Sequence, residues 1–129
     1  MKLSELKPGD WVILNDNGIE REGTVLRVSN EDNKVCVNNG VQEFWYELEN
    51  IKPLPLSEQQ LLNLGFEKLP SESGVKYGKG PFRVHVPSET DFSRVEAWYR
   101  EDIRIFDHPI TVHHLQNIHL DMTKVPLEA

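Results

Sequence analysis

Cysteine is almost missing from this chain: Cys36 is the only one in 129 residues. One thiol makes no internal disulfide and leaves no Cys-based framework for a structural zinc. It falls in the alternating run Lys34-Val35-Cys36-Val37-Asn38, where it reads as a small apolar strand residue. The first half of the chain holds no histidine to activate it as a nucleophile. Long apolar runs are lacking too. Nothing approaches the roughly twenty apolar residues of a membrane span, and Met1-Lys2-Leu3-Ser4-Glu5-Leu6-Lys7 has no apolar core of signal-peptide length. The expectation is a cytoplasmic protein with no membrane partner. Positive charge is scarce: 14 Lys and Arg stand against 21 Asp and Glu, for a net charge of −7. Divided at Pro55, the two parts carry net charges of −4 and −3. Neither has the local cation excess that displaces counterions from phosphate, so charge argues against a nucleic-acid partner.

What is present reads as two small units, which this length allows as readily as one larger core. Leu6-Lys7-Pro8-Gly9-Asp10 turns into a strand at Trp11–Leu14, and Asn15-Asp16-Asn17-Gly18 reverses the chain with residues that tolerate positive φ. Glu22–Val28 is a second strand, Asn30–Asn33 a polar turn, and Lys34–Asn38 a third strand. Asn39-Gly40, a dipeptide favoured in tight hairpins, leads to a fourth at Gln42–Tyr46. Glu47–Asn50 fits one helical turn. Ile51–Leu54 is then a fifth, short strand whose proline cannot donate to a ladder, so the segment lies at an edge or leaves the sheet. Five short strands with a helical turn before the last, opened by Leu-Lys-Pro-Gly-Asp-Trp-Val, resemble an SH3-like small barrel over about residues 3 to 55. The resemblance implies a fold and leaves the ligand open, since such barrels take Pro-rich peptides, methylated side chains, nucleic acids or neighbouring domains.

The second part, 56–129, opens with a capping box in which Ser57 is the N-cap and Gln60 its partner. Gly65 ends that helix as a left-handed cap, giving a helix near 57–64. Val75–Tyr77 and Phe82–Val86 flank Gly78-Lys79-Gly80-Pro81 as a hairpin, and Arg94–Tyr99 and Ile103–Phe106 flank a polar turn. On the latter strand Ile103 and Ile105 share one face, opposite Arg104 and Phe106. Ile110–Met122 shows helical spacing, with Leu115, Ile118 and Met122 on one stripe. The expected class is therefore α+β: an SH3-like five-stranded barrel, then a helix, three or four antiparallel strands, and a helix near 110–123.

Pro53-Leu54-Pro55-Leu56-Ser57-Glu58, Leu64-Gly65-Phe66 and Val112-His113-His114-Leu115-Gln116-Asn117-Ile118 carry a second resemblance. They are similar to landmarks of a group of small uncharacterised bacterial proteins met near phage-like and other mobile elements, which often read Pro-Ile-Pro-Leu-Thr-Glu-Glu, Leu-Gly-Phe and Val-His-x-Leu-Gln-Asn-Leu. His119 departs from the pattern, where an aromatic is usual. The resemblance implies a family and no activity.

Candidate chemistry is sparse. Trp11, Phe44, Trp45 and Tyr46 are the large aromatics of the first part; most are expected in the core, with Trp45 or Tyr46 the better candidate for an exposed ligand contact. His108, His113, His114 and His119 cluster within twelve residues, yet His113 and His114 lie six and five positions from His119, not the three or four that a helical zinc pair needs. His108 with His113 or His114 remains as a weak metal set. His113, Gln116 and Asn117 share a helical face. They read either as a polar binding patch or, the favoured alternative, as a buried hydrogen-bond network fixing the helix to the strands. Gly78-Lys79-Gly80 lacks the setting of a phosphate loop, and no serine sits in a nucleophile elbow. No cofactor and no catalytic residue is assigned. The leading reading is a non-enzymatic protein-interaction module. The alternatives are a nucleic-acid-associated module and a metal- or small-molecule-dependent enzyme using the His108–His119 segment.

Overall fold

The computed structural model describes residues Met1–Glu128. They form an α+β protein with two antiparallel five-stranded sheets and two α-helices. The chain divides into two compact units: Met1–Leu54 with Val112–His114, and Pro55–Thr111 with Leu115–Ala129. The division falls between the two prolines of the Pro53-Leu54-Pro55 stretch, and the first turn of the last helix goes with the first unit.

In the first unit the strands are β1 (Trp11–Asp16), β2 (Ile19–Ser29), β3 (Lys34–Asn38), β4 (Glu43–Glu47) and β5 (Ile51–Pro53). Their order is β4-β3-β2-β1-β5. A 3-10 turn at Leu48–Asn50 joins β4 to β5, where the sequence reads one helical turn. β5 lies at an edge beside β1, with Val12 opposite Pro53, because a proline in an inner strand would leave a ladder position without a donor. Asn17 and Gly18 take φ of 55° and 86° in the β1–β2 reversal. The Asn39-Gly40 loop is wider than the two-residue turn its composition suggests. Asn39 Oδ1 accepts from the N–H groups of Val41 and Gln42 at 2.9 and 3.0 Å, which holds a four-residue loop closed. The long strand β2 gives its first half to β1 and its second half to β3, with a register shift between Val25 and Arg27. Gly23 sits near that changeover. A Cβ there would lie 2.6 Å from Val37 Cγ1, 2.8 Å from Leu14 Cδ1 and 3.0 Å from the Asn38 carbonyl. Leu6, Val12, Leu14, Val25, Val35, Val37, Tyr46 and Ile51 form the core.

The second unit contains α1 (Glu58–Asn63), β6 (Glu67–Leu69), β7 (Val75–Lys79), β8 (Phe82–Val86), β9 (Val95–Tyr99), β10 (Asp102–Phe106) and most of α2 (Val112–Thr123). The Ser57 hydroxyl accepts from the Gln60 N–H as the helix N-cap, and Gly65 takes φ 90° after the helix. The sheet is a simple meander, β10-β9-β8-β7-β6. It has five strands where the sequence suggests three or four, because Glu67–Leu69 pairs with β7 instead of leaving as an extended exit. Alternation sorts its two faces. Tyr77, Phe82, Val84, Val86, Val95 and Ala97 point to the dry side, with Leu61, Leu64, Leu115, Ile118 and Met122 of the helices also buried.

Gly23→Ala is expected to destabilise the protein by about 1–3 kcal/mol, as overpacking of a filled site does. A shift of the urea midpoint measures it. Unchanged stability would mean that β2 does not need the close approach.

Candidate functional site

Three aromatic residues in a row give β4 its character, and its place at the sheet edge decides their exposure. Tyr46 is buried at 5% relative exposure, while Phe44 and Trp45 keep 52% and 42%. Tyr46 thus leaves the set of exposed contacts. Its ring belongs to the core, and its hydroxyl accepts from Asn39 Nδ2 at 3.0 Å. Phe44, two positions away on the same face, packs edge-on against that ring with centroids 5.2 Å apart, and it takes the exposed place instead. Trp45 faces the other way. The Arg27 guanidinium carbon sits 5.9 Å from its ring centroid, and Arg27 Nη2 donates to Glu43 Oε1 at 3.2 Å. The same nitrogen reaches Cys36 Sγ at 3.5 Å, and Cys36 is buried as a strand residue.

Beside Phe44 lies a cleft of about 290 Å³, lined by the Asn15–Gly18 turn, Phe44, Tyr46 and Asn50. Its walls combine one exposed ring with amide side chains and one carboxylate, Asp16, which pairs with Arg21 Nε at 3.5 Å. The turn supplies the amides because residues tolerant of positive φ are Asn and Asp as often as Gly. An aromatic wall beside short polar side chains can hold an extended peptide segment or a small polar group.

The histidine-rich segment does not converge. His108 is exposed, its Nδ1 donating to the Pro109 carbonyl at 2.9 Å. His113 is buried and His114 half-buried. Among the described residues no three His, Cys, Asp or Glu side chains come together as a metal requires. The His113-Gln116-Asn117 face is not an open patch either. Gln116 is fully buried, and its Nε2 donates to the Leu127 carbonyl at 2.8 Å. That bond ties the helix to the segment after it, where the sequence reading placed the network against the preceding strands. Asn117 is half-buried.

His113 belongs with a polar group of the first unit that sequence reasoning passed over. Asp10 has no exposure, and its carboxylate accepts from the Lys7 N–H at 3.1 Å and from Lys7 Nζ. The Asp10 carbonyl accepts from the Val25 N–H at 2.8 Å, so the residue fixes the Pro8-Gly9 turn to β2 from both ends. His113 Nε2 lies 3.7 Å from Glu5 Oε2. Burial pushes the Asp10 carboxyl up, against the Lys7 ammonium, and pushes His113 down, against the charges of Asp10 and Glu5. The Pro-Gly-Asp sequence signals a turn; nothing local signals that its carboxylate is dry.

The second unit hides two further polar groups. His119 Nδ1 donates to the Val125 carbonyl at 2.7 Å, and its ring meets Phe82 edge-on at 4.7 Å. The Tyr77 hydroxyl donates to Glu58 Oε2 at 2.5 Å; burial first, and that bond second, push the phenol well above its usual range. His85, the histidine outside the cluster, stacks on Trp98 with centroids 5.0 Å apart. Burial and the nearby Lys76 hold it below its ordinary value.

Both lowered histidines make stability fall with acid. The unfolded chain takes a proton near the ordinary value of about 6.5. The folded protein resists it, so stability is complete above that value and is lost as pH falls towards the folded pKa. Asp10 acts in the opposite sense at lower pH, since the folded state binds its proton first. Thermal unfolding followed by circular dichroism should therefore show Tm falling from pH 7.5 to 5.5. His113→Gln should flatten part of that slope and His85→Gln part of the remainder. Parallel slopes for wild type and both variants would exclude these groups as the cause.

No family model, curated protein or solved structure matches the chain.

Proposed function

We propose that the protein is a non-enzymatic interaction module whose first unit, an SH3-like small barrel, holds an extended segment of a protein partner beside β4. The observation that carries this reading is the half-exposure of Phe44 and Trp45 on an edge strand whose third aromatic is fully used by the core. Exposed rings beside a cleft are a costly feature for a unit with so few apolar residues to spend on its core. A peptide that covers Phe44 recovers that area, and aromatic side chains of this kind dominate binding energies.

The barrel reading is supported by the strand order β4-β3-β2-β1-β5, the 3-10 turn before β5, and a strand β2 shared between two neighbours across a register shift. A strand divided in this way bends and lets a sheet curl on itself. Charge points the choice among barrel ligands towards protein, since ten acidic residues face six basic ones in 1–54. The likeness of 53–68 and 112–118 to mobile-element-associated proteins is consistent with an accessory role and assigns no activity.

Random-peptide display against the full chain tests the reading. Enriched peptides should share a motif and bind with micromolar dissociation constants, followed through Trp45 fluorescence. Phe44→Ser should weaken them about tenfold or more, the effect of losing about 1.4 kcal/mol of contact. Both rings are half-exposed, so the variants should keep their Tm within a few degrees. Selection that yields no common motif, or peptides indifferent to both Phe44→Ser and Trp45→Ser, would defeat the reading.

A further inference from the structure

Most lysines and arginines of this acidic chain pair with a carboxylate, from Lys7 with Asp10 to Arg104 with Asp121. The pattern breaks on the solvent face of the second sheet. There Lys76 of β7 stands opposite His85 of β8, and Arg83 lies two positions before His85 on the same face. Among the described residues Lys76 and Arg83 pair with no carboxylate, and neither ring nitrogen of His85 makes a hydrogen bond. Arg83 reaches across the bare backbone of Gly78, where a Cβ would meet its Nη1 at 2.9 Å. That nitrogen donates to the Gly80 carbonyl and, at 3.2 Å, to that of Phe82. Lys76 and His85 are half-buried, and a charge partly withdrawn from water calls for a counter-charge. His85 is also fixed in orientation, stacked on Trp98 with ring planes 13° apart. Trp98 is anchored in turn, its Nε1 donating to Glu96 Oε1 at 3.1 Å.

Lys76 and His85 open onto a cleft of about 620 Å³ whose remaining wall is the loop Pro70-Ser71-Glu72-Ser73. We propose that this cleft binds a phosphate group, held by the Lys76 ammonium, the His85 imidazole and the Ser73 hydroxyl, with Arg83 adding its charge from the side. An ammonium, an imidazole and a hydroxyl are the donors that a tetrahedral oxyanion accepts from. The Ser71 hydroxyl donates to the Ser73 carbonyl at 2.7 Å and shapes the loop, while the Ser73 hydroxyl has no partner among the described residues. Nearby acids do not take the place of the ligand. Glu96, opposite His85, is committed to Arg94 and Trp98. Glu72 at the rim and Glu67 on the same face of β6 are exposed, and neither pairs with Lys76 or Arg83. Three cationic groups at one spot suit a single phosphate and not a polymer of them. The cleft exceeds one phosphate group and leaves room for a small organic substituent on it.

Burial first, then Lys76, and after them Arg83 hold His85 below its ordinary value, with Glu96 acting in the opposite sense. A phosphate beside the ring favours the charged imidazole, so His85 titrates higher in the complex and binding takes up a proton. The site lies in the second unit and is independent of the peptide cleft, which belongs to the first.

NMR titration of the full chain with inorganic phosphate and with glycerol 3-phosphate, at constant ionic strength and against chloride, is the test. Both probes should saturate with dissociation constants of about 1 mM or below, and the shifts should centre on residues 71–76 and 85. Tighter binding of the ester assigns a small organic phosphate as the ligand, and equal affinity assigns inorganic phosphate. The titration midpoint of the His85 ring should rise in saturating phosphate while that of the exposed His108 stays where it is. Lys76→Gln should weaken binding about fivefold or more, the loss of one charge-assisted hydrogen bond. Lys2→Gln, which removes a cation of the first unit, should leave it unchanged. Neither lysine pairs with a carboxylate in the fold, so both variants should keep the wild-type Tm. Shifts that never saturate, equal effects of Lys76→Gln and Lys2→Gln, or a His85 midpoint indifferent to phosphate would each overturn the site.

Discussion

A five-stranded antiparallel sheet needs one face kept from water, and each unit of this chain has barely enough apolar side chains to supply it. That requirement orders the structure. In the first unit the dry face is built from Val12, Leu14, Val25, Val35, Val37 and Ile51, all at alternating positions. In the second it is built from Tyr77, Phe82, Val84, Val86, Val95 and Ala97. Burial of this kind, worth roughly 25 cal/mol per Å² of apolar area, is the largest favourable contribution available to units so small. Each sheet can cover one side, and what lies on the other side or at the edges is left for solvent or partners.

The buried polar groups are consistent with that economy. A dry acid, amide or imidazole is tolerated where its hydrogen bonds are made within the fold. Asp10 closes the entry turn onto β2, Gln116 holds the segment at Leu127, and His119 holds the carbonyl of Val125. These are the residues that look most like chemistry in the sequence, or look like nothing at all, and the fold uses each of them as a fastener. Of the large apolar side chains that reach solvent, Phe44, Trp45, Ile103 and Ile105 sit on edge strands, while Met1, Ile19, Val41, Leu62 and Val125 lie elsewhere.

Strand positions were largely legible because alternation and turn chemistry are local. Asn17, Gly18 and Gly80 reverse the chain where their tolerance of positive φ says they should, and Ser57 caps α1 as its spacing requires. Glu67–Leu69 was harder, since three residues carry too little alternation to tell a paired strand from an extended exit. The candidate site was legible only in part. The run Phe44-Trp45-Tyr46 announces an aromatic strand, but which ring is buried depends on the neighbouring strand and on the sheet's edge. The spacing of His113, Gln116 and Asn117 shows a shared helical face, and no local rule says what that face meets.

By itself the sequence determined most element types, the α+β class, the inability of the prolines to join an inner ladder and the acidic balance of both parts, because each is read from residue identities without knowing what packs on what. Only the tertiary structure decided that Asp10 is dry, that Tyr46 and not Trp45 enters the core, and that the isoleucine face of β10 is the wet one. Those outcomes depend on which of two equivalent faces the rest of the chain covers. Alternation divides a strand into two faces, and it takes the packing of distant segments to choose between them.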